Sequence, residues 1–297
     1  MTSSWSAKAE RGSTWLIQLI VWLARTCGRT VCRGLLYPIT LYFVLTDRMA
    51  RKASKEFLQR IEGQPVGWTQ TFRHIYTFAT TLLDRVYLAG GDFHRLDIEI
   101  VGREHLEHLL EGGKGCVVLG SHLGSFDLMM VMQRVVDKRP IHVMMRVDPR
   151  ARVRRIAGIA EHELRIIQTG RPDSYLKAHQ ALEHGEVVAM LADRVEGDVP
   201  RLNSRFLGHE APFPLAPHVL AARSGAPVIM CFGLYVRRNR YRIEFVEFGT
   251  AAACDARGVA FQPVVDRYAG VLEEYARRYP LNWFNFYPFW TLEGGRA

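Results

Sequence analysis

Residues 116–130 read CVVLGSHLGSFDLMM, and the first five of them decide the fold. Cys116 to Gly120 is an unbroken apolar run that stops at a glycine. A run this short with no polar alternation is a strand covered on both faces, as in a parallel sheet flanked by helices. Gly124 then permits a sharp bend, Ser125 is a good helix N-cap, and residues 125–136 turn apolar at helical spacing. The stretch therefore reads as strand, tight polar turn, helix.

The same alternation continues outward. Residues 187–191 and 227–232 are further continuous apolar runs, and 141–145 is interrupted only by His142. Helical segments are expected at about 149–162, 174–184 and 216–224, and a last helix runs up to Pro280. Upstream, residues 47–89 read helical, "RLDIEIVG" alternates like a strand, and "REHLEHLLEGG" is a short amphipathic helix closed by glycine. "RYRIEFVEFG" reads as an added edge strand. The fold class expected is α/β: a largely parallel central sheet flanked by helices, with a helical N-terminal extension. The division is residues 1–46 for that extension and 47–297 for the α/β domain.

In an open sheet of this kind ligands gather at the carboxyl ends of the strands. His122, Arg146 and Asp193 each fall just after an expected strand, in "VVLGSH", "HVMMR" and "VVAMLADR". Three polar residues at three equivalent strand ends mark a site better than any one alone. His122 and Asp127 would diverge by about 140° on one straight helix. They meet only if the histidine lies in the loop and the aspartate in the first helical turn. A carboxylate on one imidazole nitrogen would leave the other as a base. Free amides at the helix start could hold a phosphate or a developing oxyanion. "GSHLG" has the spacing of a nucleophile elbow with His122 in place of the serine. Ser121 or Ser125 as an esterase nucleophile therefore stands as an alternative, but deprotonation of a substrate hydroxyl is the more natural use of the base.

Composition narrows the partners. The chain has 297 residues, a formal charge of +9, and five cysteines without paired spacing. An odd set of cysteines in apolar runs suits a reducing compartment and argues against a disulfide framework. No C-x-x-C or H-E-x-x-H spacing suggests a metal, and no cofactor is expected. The positive charge suits an anionic partner, but no nucleic-acid motif accompanies it. The N-terminal runs "STWLIQLIVWLA" and "GLLYPITLYFVL" are each too short to span a bilayer and are separated by Arg25, Arg29 and Arg33. These arginines are four apart, so on a helix they share one face. That face is expected to meet anionic lipid, with Trp15, Trp22, Tyr37 and Tyr42 at headgroup level. A non-enzymatic membrane or nucleic-acid-binding protein is the other alternative.

"HLGSFD" matches the His-x4-Asp pattern of the glycerolipid, or lysophospholipid, acyltransferase superfamily. The text around it resembles the late lauroyl/myristoyl acyltransferases of lipid A biosynthesis. The resemblance runs from "RGLLYP" through "TFRHIYTFATTLLDR", "LEGGKGCVVLGSHLGSFD", "ALEHGEVVAMLADR" and "FLGHEAPFPLAPHVLAARSGAPV" to "NWFNFYPFW". It implies that His122 is the general base and Asp127 its orienting carboxylate, with Gly124 and Ser125 lining the acceptor pocket. Arg146 would steer a phosphate or carboxylate, and Asp193 with Arg194 would stand at a later strand end. It also implies a donor thioester on acyl carrier protein, docked through "RVDPRARVRR" and "VRRNRYR", and a lipid or glycolipid acceptor. The enzyme would sit on the inner membrane, peripheral or monotopic, with its site facing the cytoplasm. Two departures matter. Lipid A enzymes usually end in a tryptophan followed by basic and aromatic residues, where this chain has "WFNFYPFW". Many also carry glutamate where this chain has Asp127. The ending resembles a subgroup linked to other outer-membrane lipids, such as aryl polyenes or related glycolipids.

Overall fold

The computed structural model describes residues 22–24, 26–128, 139–146, 165–195, 197, 199–250 and 261–290. Among the described residues the first elements with defined bounds are the helices α1 (Gly28–Thr46), α2 (Arg48–Glu62) and α3 (Trp68–Ala89). Asp47 separates the first two. Its carboxylate accepts from the amides of Met49 and Ala50, both at 3.1 Å, and so caps α2. There follow β1 (Asp97–Val101), α4 (Arg103–Glu111), β2 (Cys116–Gly120), a 3-10 turn (Phe126–Leu128), β3 (Ile141–Met145) and β4 (Arg165–Gln168). The remainder is α5 (Ser174–Glu183), β5 (Val187–Leu191), β6 (Arg201–Phe206), β7 (His209–Pro214), α6 (Ala216–Ser224), β8 (Pro227–Arg237), β9 (Arg240–Thr250) and α7 (Gln262–Arg278).

Seven strands form one sheet in the order β1-β9-β8-β2-β5-β3-β4. The five from β8 to β4 are mutually parallel, β9 runs antiparallel to β8, and β1 lies parallel to β9. The mixed α/β class with a mostly parallel sheet is thus as the apolar runs require. Their side chains alternate between two cores. Val117, Leu119, Val188 and Met190 face a layer containing α5, α6 and α7, while Cys116, Val118, Val187 and Ala189 face α4 and the end of α3.

One element differs from its expected place. The polar alternation of β9 predicts an edge strand, yet it lies inside the sheet with β1 pairing outside it. Glu99 of β1 takes up Arg242 at 3.0 Å, so the alternating charges are satisfied across the strands. β4 and the β6–β7 hairpin were not anticipated. β4 is short and largely exposed, and its one buried residue, Ile167, leaves little apolar signal. The helix expected at 149–162 and most of that at 125–136 lie outside the described residues, as do Trp15 and Arg25.

Of the residues expected at the membrane, Trp22, Tyr37 and Tyr42 are exposed, but Arg29 and Arg33 face the protein instead of lipid. Arg29 binds Asp84 of α3 through two nitrogens, each at 2.6 Å, and also donates to the Arg238 carbonyl. Arg33 donates to the same carbonyl at 2.8 Å and to the Tyr235 hydroxyl at 3.2 Å. These two arginines therefore dock α1 onto the β8–β9 hairpin. A buried carboxylate binds a guanidinium more strongly than solvent-exposed lipid charge would. What α1 turns outward is apolar: Val31, Leu35, Leu41, Tyr42 and Leu45 are exposed, as are Trp22 and Tyr37. Among the described residues no helix is long and apolar enough to cross a membrane.

Candidate active site

The pairing of β2 with β5 sets the site. Their register ends at Gly120↔Leu191, and the Ala192 amide still bonds the Gly120 carbonyl at 3.1 Å. Two residues further along each strand stand His122 and Asp193. The parallel register therefore delivers them to the same level on neighbouring strands. The Asp193 carboxylate grips His122 twice: Oδ2 accepts the backbone amide at 2.9 Å, and Oδ1 contacts the imidazole Nδ1 at 2.8 Å. A carboxylate only accepts, so Nδ1 carries the proton and Nε2 is left as the basic nitrogen. Among the described residues Nε2 has no hydrogen-bond partner, and the His122 side chain is 26% exposed.

Asp193 itself is fully buried. Burial alone would raise its pKa. The charges of His122 and Arg194 and the hydrogen bonds from His122 outweigh that and hold it below the ordinary carboxylate value. Asn285 adds a donor, with its Nδ2 at 2.9 Å from Asp193 Oδ2. Arg194 braces Asn285 in turn, donating Nε and Nη2 to Asn285 Oδ1 at 3.2 and 2.7 Å. Its guanidinium lies over the Tyr287 ring at 5.1 Å.

This geometry corrects the expectation that Asp127 orients the imidazole. Asp127 sits in the 3-10 turn and is held by α3: Arg85 Nε and Nη2 both lie on its Oδ2, at 2.7 and 2.6 Å. The sequence suggested the pair by proximity along the chain. The sheet instead brings a residue 71 positions away into contact. The amides of the loop leading into the 3-10 turn are spent on the fold. Leu123 N donates to Ser121 Oγ at 3.2 Å, Gly124 N to the Asn282 carbonyl at 2.7 Å and Ser125 N to the Gly233 carbonyl at 2.6 Å.

Those bonds show how the loop is fixed. Gly124 has φ +85°, and a Cβ there would lie 2.1 Å from the Gly233 carbonyl oxygen, so only glycine fits. Leu123 bridges antiparallel to Trp283, and the Phe284 amide donates to the His122 carbonyl at 2.9 Å. The terminal segment "NWFNF" thus runs along the His122 loop. Asn282 ties it to β8, accepting from the Tyr235 amide at 2.8 Å and donating to its carbonyl at 3.0 Å. Trp283 is fully buried, with Phe57, Phe206 and Phe289 around it at centroid distances of 4.6, 5.2 and 4.7 Å. Its carbonyl receives His74 Nε2 at 2.9 Å, while His74 Nδ1 meets the Ser54 hydroxyl at 2.9 Å. Burial pulls the His74 imidazole down to about 4 against the opposing effect of that carbonyl, so it is neutral near pH 7.

Of the residues expected to serve the site, His122, Gly124, Ser125 and Asp193 come together at the ends of β2 and β5, and Arg194 joins them through Asn285. Arg146 stands exposed one residue beyond β3, at the same edge of the sheet. Arg85, Asn282, Asn285 and His74 were missed. Their only trace in the sequence is that they lie in "TFRHIYTFATTLLDR" and "NWFNFYPFW", stretches that carried the resemblance but offered no motif for a role.

No curated protein matches the sequence. A family model, bacterial lipid A biosynthesis acyltransferase, matches residues 6–291. That span takes in the first helices, the strand ends that hold His122 and Asp193, and the terminal segment that clamps them. Membership makes the chain an acyltransferase that moves an acyl group to a lipid. The chain belongs to the bacterial lipid A biosynthesis acyltransferase family.

Proposed function

We propose that this acyltransferase uses His122 as a general base to move a fatty acyl group from an acyl-carrier-protein thioester to a hydroxyl or amine of a lipid or glycolipid. The 2.8 Å contact between His122 Nδ1 and Asp193 Oδ1 carries this reading. It commits one imidazole nitrogen to a buried carboxylate and leaves the other to the acceptor. Nε2 takes the acceptor's proton as the acceptor atom attacks the thioester carbon. The tetrahedral species collapses with cleavage of the C–S bond, and Nε2–H returns the proton to the departing thiolate. One ester or amide bond forms, one thioester bond breaks, and the base ends neutral. Asp193 favours the imidazolium that exists between the two transfers.

The apolar outer face of α1 supports seating on a membrane surface, inner membrane and cytoplasm-facing, with residues 1–46 as the attaching segment and 47–297 as the acyltransferase domain. Docking of an acidic carrier is supported by exposed Arg237 and Arg238 at the β8–β9 turn. Arg240 and Arg242 of the same basic run pair with Asp97 and Glu99. The other basic run, from Arg150 onward, lies outside the described residues. An esterase using Ser121 or Ser125 is disfavoured, because among the described residues neither hydroxyl bonds the imidazole. Both serines are buried, and Ser121 Oγ is engaged by the Leu123 amide.

The test is lipid profiling of cells carrying only a His122→Ala chain, together with purified wild-type protein and acyl-carrier-protein thioesters of several chain lengths. The expected result is one lipid lacking an acyl chain in the mutant, restored by the wild-type protein and one thioester. An unchanged profile with no thioester consumed would contradict the proposal.

A further inference from the structure

With Asp193 on the imidazole, the acidic residue of the His-x4-Asp pattern has no partner in His122 and stands against Arg85 instead. The manner of that contact is unusual for arginine and carboxylate. A forked pair would engage both oxygens, whereas here both guanidinium nitrogens converge on Oδ2. Among the described residues Asp127 Oδ1 accepts no hydrogen bond. The pair is reachable from outside, with side-chain exposures of 27% for Arg85 and 17% for Asp127.

Anchoring of α3 does not require it, because the preceding residue already ties the helix down at this turn. Asp84 is fully buried and takes Arg29 of α1 through both oxygens and the Tyr241 hydroxyl of β9 at 2.6 Å. That anchor fixes the backbone from which Arg85 reaches the 3-10 turn, five residues beyond His122.

We propose that Arg85 is a positioning residue of the acyl transfer, acting through Asp127. It holds the carboxylate by one oxygen and keeps the other available to accept a hydrogen bond from the acceptor, beside the group His122 deprotonates. The inference rests on the reading of His122 as base. It assigns to the acceptor a second hydroxyl or amine hydrogen near the reacting one, and it separates the two acidic residues by role: Asp193 serves the base and Asp127 the acceptor.

The experiment follows transfer of labelled dodecanoyl groups from acyl carrier protein to vesicles. These vesicles are made from total lipids of cells carrying only the His122→Ala chain, which accumulate the unmodified acceptor. Arg85→Met and Asp127→Asn should each lower kcat/KM for the vesicle lipid on the order of 10–10²-fold, the range for a misplaced reacting group. The donor KM should stay unchanged. The double variant should be no slower than Asp127→Asn alone, and Arg85→Lys should lie between wild type and Arg85→Met. Effects that multiply in the double variant, or a wild-type rate in Arg85→Met, would overturn the proposal. If Arg85→Met does not fold, the same comparison is made with Arg85→Lys alone and combined with Asp127→Asn, and multiplication there overturns it equally. A His122→Ala chain as active as wild type would instead remove the underlying mechanism, and is recognised because it leaves no base for Asp127 to assist.

Discussion

At the scale of single residues the site is a histidine whose tautomer is chosen by a carboxylate from the next strand. Asn285→Ala removes a side-chain donor to Asp193 and the acceptor for Arg194. It should lower kcat several-fold while leaving the acceptor KM near wild type, as steady-state kinetics on vesicles would show. Two buried histidines contribute to the acid response of the fold. Burial pulls both His74 and His218 down to about 4 from an ordinary value of 6.5. Between those values the unfolded chain binds protons that the folded chain excludes, so stability is full above pH 6.5 and falls as pH drops toward 4. Each group contributes a loss of about 1.4 kcal/mol per pH unit across that window. Urea midpoints at pH 7 and pH 5 should differ, and His218→Phe should shrink the difference; an unchanged pH dependence in that variant would remove His218 from the account. At this scale the sequence showed His122, Gly124 and Asp193, because strand ends and a glycine bend leave local signals. It did not show which carboxylate meets the imidazole, since that depends on strand order and not on spacing along the chain.

At the scale of elements, the His122 loop is pressed between β8 and the terminal segment. Gly124→Ala would place a methyl group against the Gly233 carbonyl at a backbone angle that L residues avoid. The expected cost is about 1–3 kcal/mol, read as a lowered urea midpoint, and activity should fall with it. α1 offers a separate test. Leu35 and Leu45 are exposed on its outer face, so Leu35→Glu with Leu45→Glu should leave thermal stability nearly unchanged. Cosedimentation with anionic vesicles should weaken on the order of tenfold per residue, the loss expected from withholding a leucine from an apolar phase. Binding equal to wild type would remove α1 from the membrane contact. Helical periodicity revealed α1 and its arginine stripe. It could not reveal which side faces the protein, because Asp84, Tyr235 and the Arg238 carbonyl come from distant parts of the chain.

At the scale of the molecule, the apolar runs 116–120, 141–145 and 187–191 coincide with β2, β3 and β5, because strands buried on both faces announce themselves in composition. β9 misled because an interior strand flanked by charged partners alternates as an edge strand does. The whole sheet serves one placement: β2 and β5 side by side, their ends at one level, and a terminal segment laid across them. Asp193 as the partner of His122 is the assignment on which the proposed mechanism rests most directly. The deciding measurement is the single-turnover rate of labelled acyl transfer by Asp193→Asn beside wild type and His122→Ala, at equal folded concentration. A fall of about 10²–10⁴-fold in Asp193→Asn, near that of His122→Ala, is the expected result. Transfer at the wild-type rate by Asp193→Asn would contradict the account.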